Sequence, residues 1–141
     1  MAGCRPGEGP FLQVQFCLTK AAGADELKRV LREIARDEGM EYGDRSADTN
    51  EELRSMGNSL PAEVRQSFPI INVDVQRGDI GVGGGNLGLG PNQVALGFSR
   101  DSRAARLFAN RTVHRLQQTW KLVKVPNDRG AFPLKDCPKD G

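Results

Sequence analysis

Residues Ile70 to Ser99 read I-I-N-V-D-V-Q-R-G-D-I-G-V-G-G-G-N-L-G-L-G-P-N-Q-V-A-L-G-F-S, and this glycine-rich stretch decides the architecture. Folded about Gly84-Gly85, it places Val82 opposite Leu87, Ile80 opposite Leu89, Val75 opposite Val94, Val73 opposite Leu96 and Ile71 opposite Phe98. These apolar pairs share one register, and a two-residue Gly-Gly loop suits the left-handed turns that hairpins favour. The expectation is one long β-hairpin. Its apolar parity changes at the same level on both arms: Ile71, Val73 and Val75 are odd-numbered and Ile80 and Val82 even, whereas Leu87 and Leu89 are odd and Val94, Leu96 and Phe98 even. Side chains alternate faces with period 2, so the greasy face switches sides between base and tip. Arg77-Gly78-Asp79 and Gly90-Pro91-Asn92 are where bulges or a sharp twist would make the switch. Arms of about 12 residues reach roughly 40 Å, so the tip has to curl or project, which makes Ile80, Val82, Leu87 and Leu89 a candidate partner-binding surface.

Outward from the hairpin, the chain alternates strand and helix. Phe11 to Thr19 is expected as the first strand, with Leu12, Val14, Phe16 and Leu18 on one face and Gln13, Gln15 and Cys17 on the other. A helix follows, carrying Leu27, Val30, Leu31, Ile34 and Ala35 at helical spacing and stopping at Gly39. Residues 40–69 lack strong periodicity and read as an irregular insertion, with Thr49 and Glu52 as a capping box for a short helix and a further short turn at Pro61. Beyond the hairpin, Asp101 or Ser102 caps a second long helix whose inward stripe is Ala105, Phe108, Ala109, Thr112, Val113 and Leu116; Trp120 to Val125 is the final strand, ended by Pro126. The domain plan is a flexible tether at 1–10, a single α+β domain at 11–126 and a tail at 127–141. The order β-α-β-β-α-β resembles the ferredoxin-like fold, which implies a four-stranded antiparallel sheet with two helices on one face.

The totals bound the function classes. With 141 residues one domain is expected, and 20 basic against 18 acidic residues, a formal charge of +2, give no overall pull toward nucleic acid or membrane. No apolar run approaches the ~20 residues of a membrane span. The three cysteines say more. Met1-Ala2-Gly3-Cys4 resembles the lipobox of bacterial lipoproteins, in which small residues precede the cysteine that becomes the lipidated first residue; Met1 stands where leucine is usual. The resemblance implies lipidation at Cys4, a tether along Arg5-Pro6-Gly7-Glu8-Gly9-Pro10, and a place in the bacterial periplasm or envelope. Setting Cys4 aside for lipid leaves Cys17 and Cys137 as an even pair, able in an oxidising compartment to form a disulfide as the tail returns across the open side of the sheet. Their spacing fits no zinc pattern, one histidine leaves little for a metal site, and no cofactor is expected.

The remaining motifs do not point to catalysis. Gly83-Gly84-Gly85-Asn86-Leu87-Gly88 matches G-x-G-x-x-G, but a β-like run follows it instead of the helix whose N-terminus would hold a pyrophosphate. His114 has no nucleophile assignable to it, Arg77-Gly78-Asp79 is a chance-length match to an adhesion tripeptide, and Asn110-Arg111-Thr112 is a glycosylation sequon in mid-helix. Arg103, Arg106, Arg111 and Arg115 on the second helix are the best anion-binding candidates. RNA-binding members of this fold class stack bases on aromatics of the open sheet face, yet that face offers Gln13, Gln15, Cys17, Asn72, Asp74, Gln76, Gln93, Ala95 and Gly97, with no aromatic among them. The expected function is therefore a non-enzymatic envelope lipoprotein that binds a protein partner through the Gly-rich hairpin or the 40–69 loop, as an adaptor, inhibitor or immunity-like protein. The alternative is a cytosolic ferredoxin-like module binding RNA or another anion through the four arginines.

Overall fold

The computed structural model describes residues 10–19, 22–55, 70–86 and 92–125, together with 134 and 137. In chain order the elements are β1 (Leu12–Cys17), α1 (Gly23–Glu38), β2 (Glu41–Asp44), α2 (Ser46–Ser55), β3 (Asn72–Arg77), β4 (Ile80–Gly85), β5 (Gln93–Ser99), α3 (Arg103–Gln117) and β6 (Val123–Val125). The strands form one antiparallel sheet in the order β2-β3-β4-β5-β1-β6. The α+β class holds, with six strands in place of the expected four.

The expected long hairpin is replaced by a three-strand meander. Chain reversal occurs at Gly78-Asp79, where Arg77 pairs with Ile80 and Val75 with Val82. Gly78 takes a φ of 60°, the left-handed value that a type II′ turn requires at its first central position. The parity change on the first arm is this turn: a two-residue loop puts an odd residue opposite an even one, so Val75 and Val82 face the same side. Gly84 and Gly85 are no loop but the end of β4, pressed between β3 and β5, where a Cβ on either would run into a backbone carbonyl of Ala95 or Ile71. Asn86 continues the pairing past the strand end, its side-chain Oδ1 accepting from Ile71 N at 2.9 Å while its own N–H donates to Ile71 O at 3.3 Å.

Helices α1 and α3 lie on one face of the sheet and share its core. Val14, Phe16, Val73, Val75, Val82, Val94, Leu96 and Phe98 from the strands meet Leu27, Leu31 and Ile34 of α1 and Phe108, Ala109 and Leu116 of α3. The stripes expected for both helices are the buried ones, with Val113 half-buried. Gly39 caps α1 and Ser102 caps α3, its Oγ accepting from Ala105 N at 3.1 Å. The insertion at 40–69 is partly regular: β2 forms the sheet edge, and α2 starts at Ser46, three residues before Thr49, with Ser46 N donating to Asp44 Oδ1 at 2.9 Å. The turn expected at Pro61 lies outside the described residues. Of the last expected strand only Val123–Val125 pairs, because Trp120 closes the end of α3 with its N–H on Leu116 O and its ring on Phe16, centroids 5.1 Å apart.

Arginines of α3 clamp the two helices together. Arg111 makes a two-pronged contact with Glu38 at 2.7 and 2.8 Å, and Arg115 reaches Glu33 at 2.9 Å and Asp37 at 3.5 Å. The Arg111 hydrogen bonds hold the Glu38 carboxyl below its ordinary value of 4.5. A depressed folded-state pKa contributes stability that is full above the unfolded value and vanishes as pH falls through the folded one. Because Arg111 is more than half exposed, Glu38→Gln should cost only about 0.5 kcal/mol at pH 7. Urea midpoints of the two proteins, apart at pH 7, should converge as the pH falls below the ordinary carboxylate value and through the depressed Glu38 one.

Candidate functional site

The face of the sheet away from the helices carries an unusual cross-strand row. Register runs Gly43 opposite Asp74, Asp74 opposite Gly83, Gly83 opposite Gly97, Gly97 opposite Gln13 and Gln13 opposite Val125. Across the first four strands of the row, Asp74 is therefore the sole side chain. None of Gly43, Gly83 and Gly97 has a left-handed φ, so turn geometry does not account for them. Space does. A Cβ on Gly43 would meet the Asp74 carboxylate, one on Gly83 would stand 3.1 Å from Asp74 Cβ, and one on Gly97 would stand 3.1 and 3.2 Å from the Pro10 ring. Glycine inside a strand costs about 0.5–1 kcal/mol relative to alanine, and here that cost leaves room around one carboxylate and seats one proline ring.

Gly81 and Ser99 form the neighbouring row with Gln76. Asp74, Gln76, Gly81, Gly83, Gly97 and Ser99 together line a shallow trough of about 180 Å³. The floor is backbone already committed to the sheet, and Ser99 Oγ donates to Asp79 O at 3.3 Å. The Asp74 side chain is 31% exposed, and its ion pair with Arg45 is long, 3.8 Å, to a guanidinium that is itself largely in solvent. Such a surface lets an extended backbone approach closely and offers one negative charge to it.

The other half of this face is covered. Gln15 and Val125 point away from the helices, yet both are buried. Cys17 is bonded to Cys137, 120 positions away, and Leu134 N donates to Gln93 Oε1 at 2.8 Å. The disulfide expected from the cysteine count is present, and the two described tail residues lie across the sheet where the alternation of β1 placed Cys17.

The other candidate residues are scattered. Val82 is 3% exposed and belongs to the core, and Ile80 packs against that core, so neither stands on a projecting tip. The reason is the Gly78-Asp79 turn, which makes Ile80–Gly85 an interior strand. Leu87, Leu89 and Cys4 lie outside the described residues. Arg106 is bound to Asp101 through both carboxylate oxygens at 2.5 and 2.6 Å, and Arg111 and Arg115 are committed to α1 as above, leaving Arg103 as the fourth and exposed member. Arg77 donates to Glu38 O at 2.9 Å, tying the tripeptide's arginine to the end of α1. Among the described residues no group of three or more His, Cys, Asp or Glu could hold a metal ion, and no helix is long and apolar enough to cross a membrane. Alternation along β3 puts Asp74 on the open face, but its signal as a site is the pair of glycines opposite it, visible only once both registers are known. No family model matches this chain, and no curated protein matches it in sequence.

Proposed function

We propose that this protein is a non-enzymatic component of the bacterial envelope, tethered by lipid on Cys4, that docks an extended segment of a protein partner on the open half of its sheet. The observation that carries the reading is the glycine-cleared row around Asp74, and the partner it suits presents a basic side chain to that carboxylate and small or prolyl residues to the glycine floor, as Pro10 does at Gly97. The Cys17–Cys137 bond supports an oxidising compartment. For the fold, we read β1-α1-β4-β5-α3-β6 as a ferredoxin-like core, each helix joining two strands that flank a third, with β2, α2 and β3 inserted after α1. The arginine-based anion reading is set aside because Arg106, Arg111 and Arg115 already hold carboxylates.

The test uses the protein expressed from its own chromosomal locus in its native cells. A photoreactive residue at Gln76 should give one discrete adduct that Asp74→Lys reduces at least about tenfold, as expected when attraction becomes like-charge repulsion, while the same residue at Leu107 on α3 should give none. Fatty-acid labelling lost in Cys4→Ser would support the tether. Equal adducts from both faces, or adducts indifferent to Asp74, would defeat the docking reading.

A further inference from the structure

Strand β2 ends the sheet, with β3 on one side and no strand on the other among the described residues. Arg45 N donates to Asn72 O at 2.8 Å, continuing the β2–β3 ladder by one residue. Backbone groups alternate sides along a strand, so Glu41, Gly43 and Arg45 turn theirs toward β3, and Tyr42 and Asp44 direct theirs to the free edge. An open row of this kind is a template for another strand.

The residues on that edge are complementary to themselves. We propose that β2 pairs antiparallel with β2 of a second copy about Gly43, joining two sheets across a two-fold axis. In this register Tyr42 and Asp44 of one copy exchange backbone hydrogen bonds with Asp44 and Tyr42 of the other. Gly43 meets Gly43 at a close, non-hydrogen-bonded position, and Glu41 faces Arg45 of the second copy twice over. Shifting the pairing by one step either way sets Asp44 against Asp44, or Tyr42 against Tyr42 with Glu41 facing glycine, so charge selects the central register.

Sedimentation equilibrium from about 1 µM to 1 mM reads this directly, because a dimer's population rises with concentration. Wild-type protein should show a monomer–dimer equilibrium. Glu41→Arg and Arg45→Glu, each placing like charges opposite one another at two positions, should weaken it roughly thirtyfold. The double variant Glu41→Arg/Arg45→Glu restores opposite charges and should recover the wild-type constant to within about threefold. The swap separates pairing from damage to the fold, since a misfolded edge would not be repaired by a second reversal. A monomer throughout the range, a dimer unmoved by either single reversal, or a swap that fails to recover association would each overturn the proposal.

Discussion

Val82→Asp should remove the cooperative unfolding transition altogether. Val82 sits at 3% exposure between Val75 on β3 and Phe98 on β5, on the strand that α3 packs against. Burying an ionised carboxylate among aliphatic side chains, with no buried Lys or Arg among the described residues, belongs to the small class of substitutions that cost more than about 4–5 kcal/mol. That is comparable to the whole stability of a domain this size, about 5–15 kcal/mol. Circular dichroism melts and amide-proton dispersion would register the loss, and Leu107→Asp, at a position 50% exposed on α3, provides a control expected within about 0.5 kcal/mol of wild type. A folded, cooperatively melting Val82→Asp protein would contradict the interior position of β4.

Removing the Cys17–Cys137 bond is the second large effect. The two cysteines are 120 positions apart, so the bond closes most of the unfolded chain into one large loop. On the chain-entropy account this is worth about 4–5 kcal/mol, against which any native strain subtracts. Cys137→Ser should therefore lower the melting temperature by roughly 10–20 °C. Reductant added to the wild-type protein should reproduce the shift, and reductant added to the variant should do nothing. Equal melting of wild type and variant would mean that the bond constrains a state already compact before folding.

The parts legible in the sequence were those set by one period. The stripe Leu27, Val30, Leu31 and Ile34 and the stripe Ala105, Phe108, Ala109 and Leu116 each require only a count of 3.6, and both are the packed faces of their helices. The alternation of Leu12 to Leu18 likewise placed Cys17 on the side where Cys137 meets it. The meander escaped because two turns competed. Gly84-Gly85 folds five apolar pairs into register, whereas Gly78-Asp79 folds fewer and leaves the difference to β5, where Val82 and Phe98 pair across a longer connection. Pair counting favours the longer ribbon, but steric demand decides, since only glycine tolerates the crowding that β4 meets at positions 84 and 85. Strand β2 was missed for a simpler reason: Glu41-Tyr42-Gly43-Asp44 carries one apolar side chain in four residues, and pairing with β3 supplies what its own pattern lacks. The row around Asp74 depends on both of these registers, so it was illegible until they were known.

The position of β1 dictates the timetable of folding. Its neighbours are β5 and β6, so Leu12 waits for Phe98 and Gln13 for Val125, while β2 to β5 close through successive antiparallel partners. The first strand to leave the ribosome therefore waits for a partner synthesised some 80 residues later, and until residue 98 has been synthesised Val14, Phe16 and Leu18 have no slot to enter. A nascent chain stalled before β5 would display those three side chains to any chaperone that binds extended apolar segments, whereas one released after β6 would hide them in a single late step.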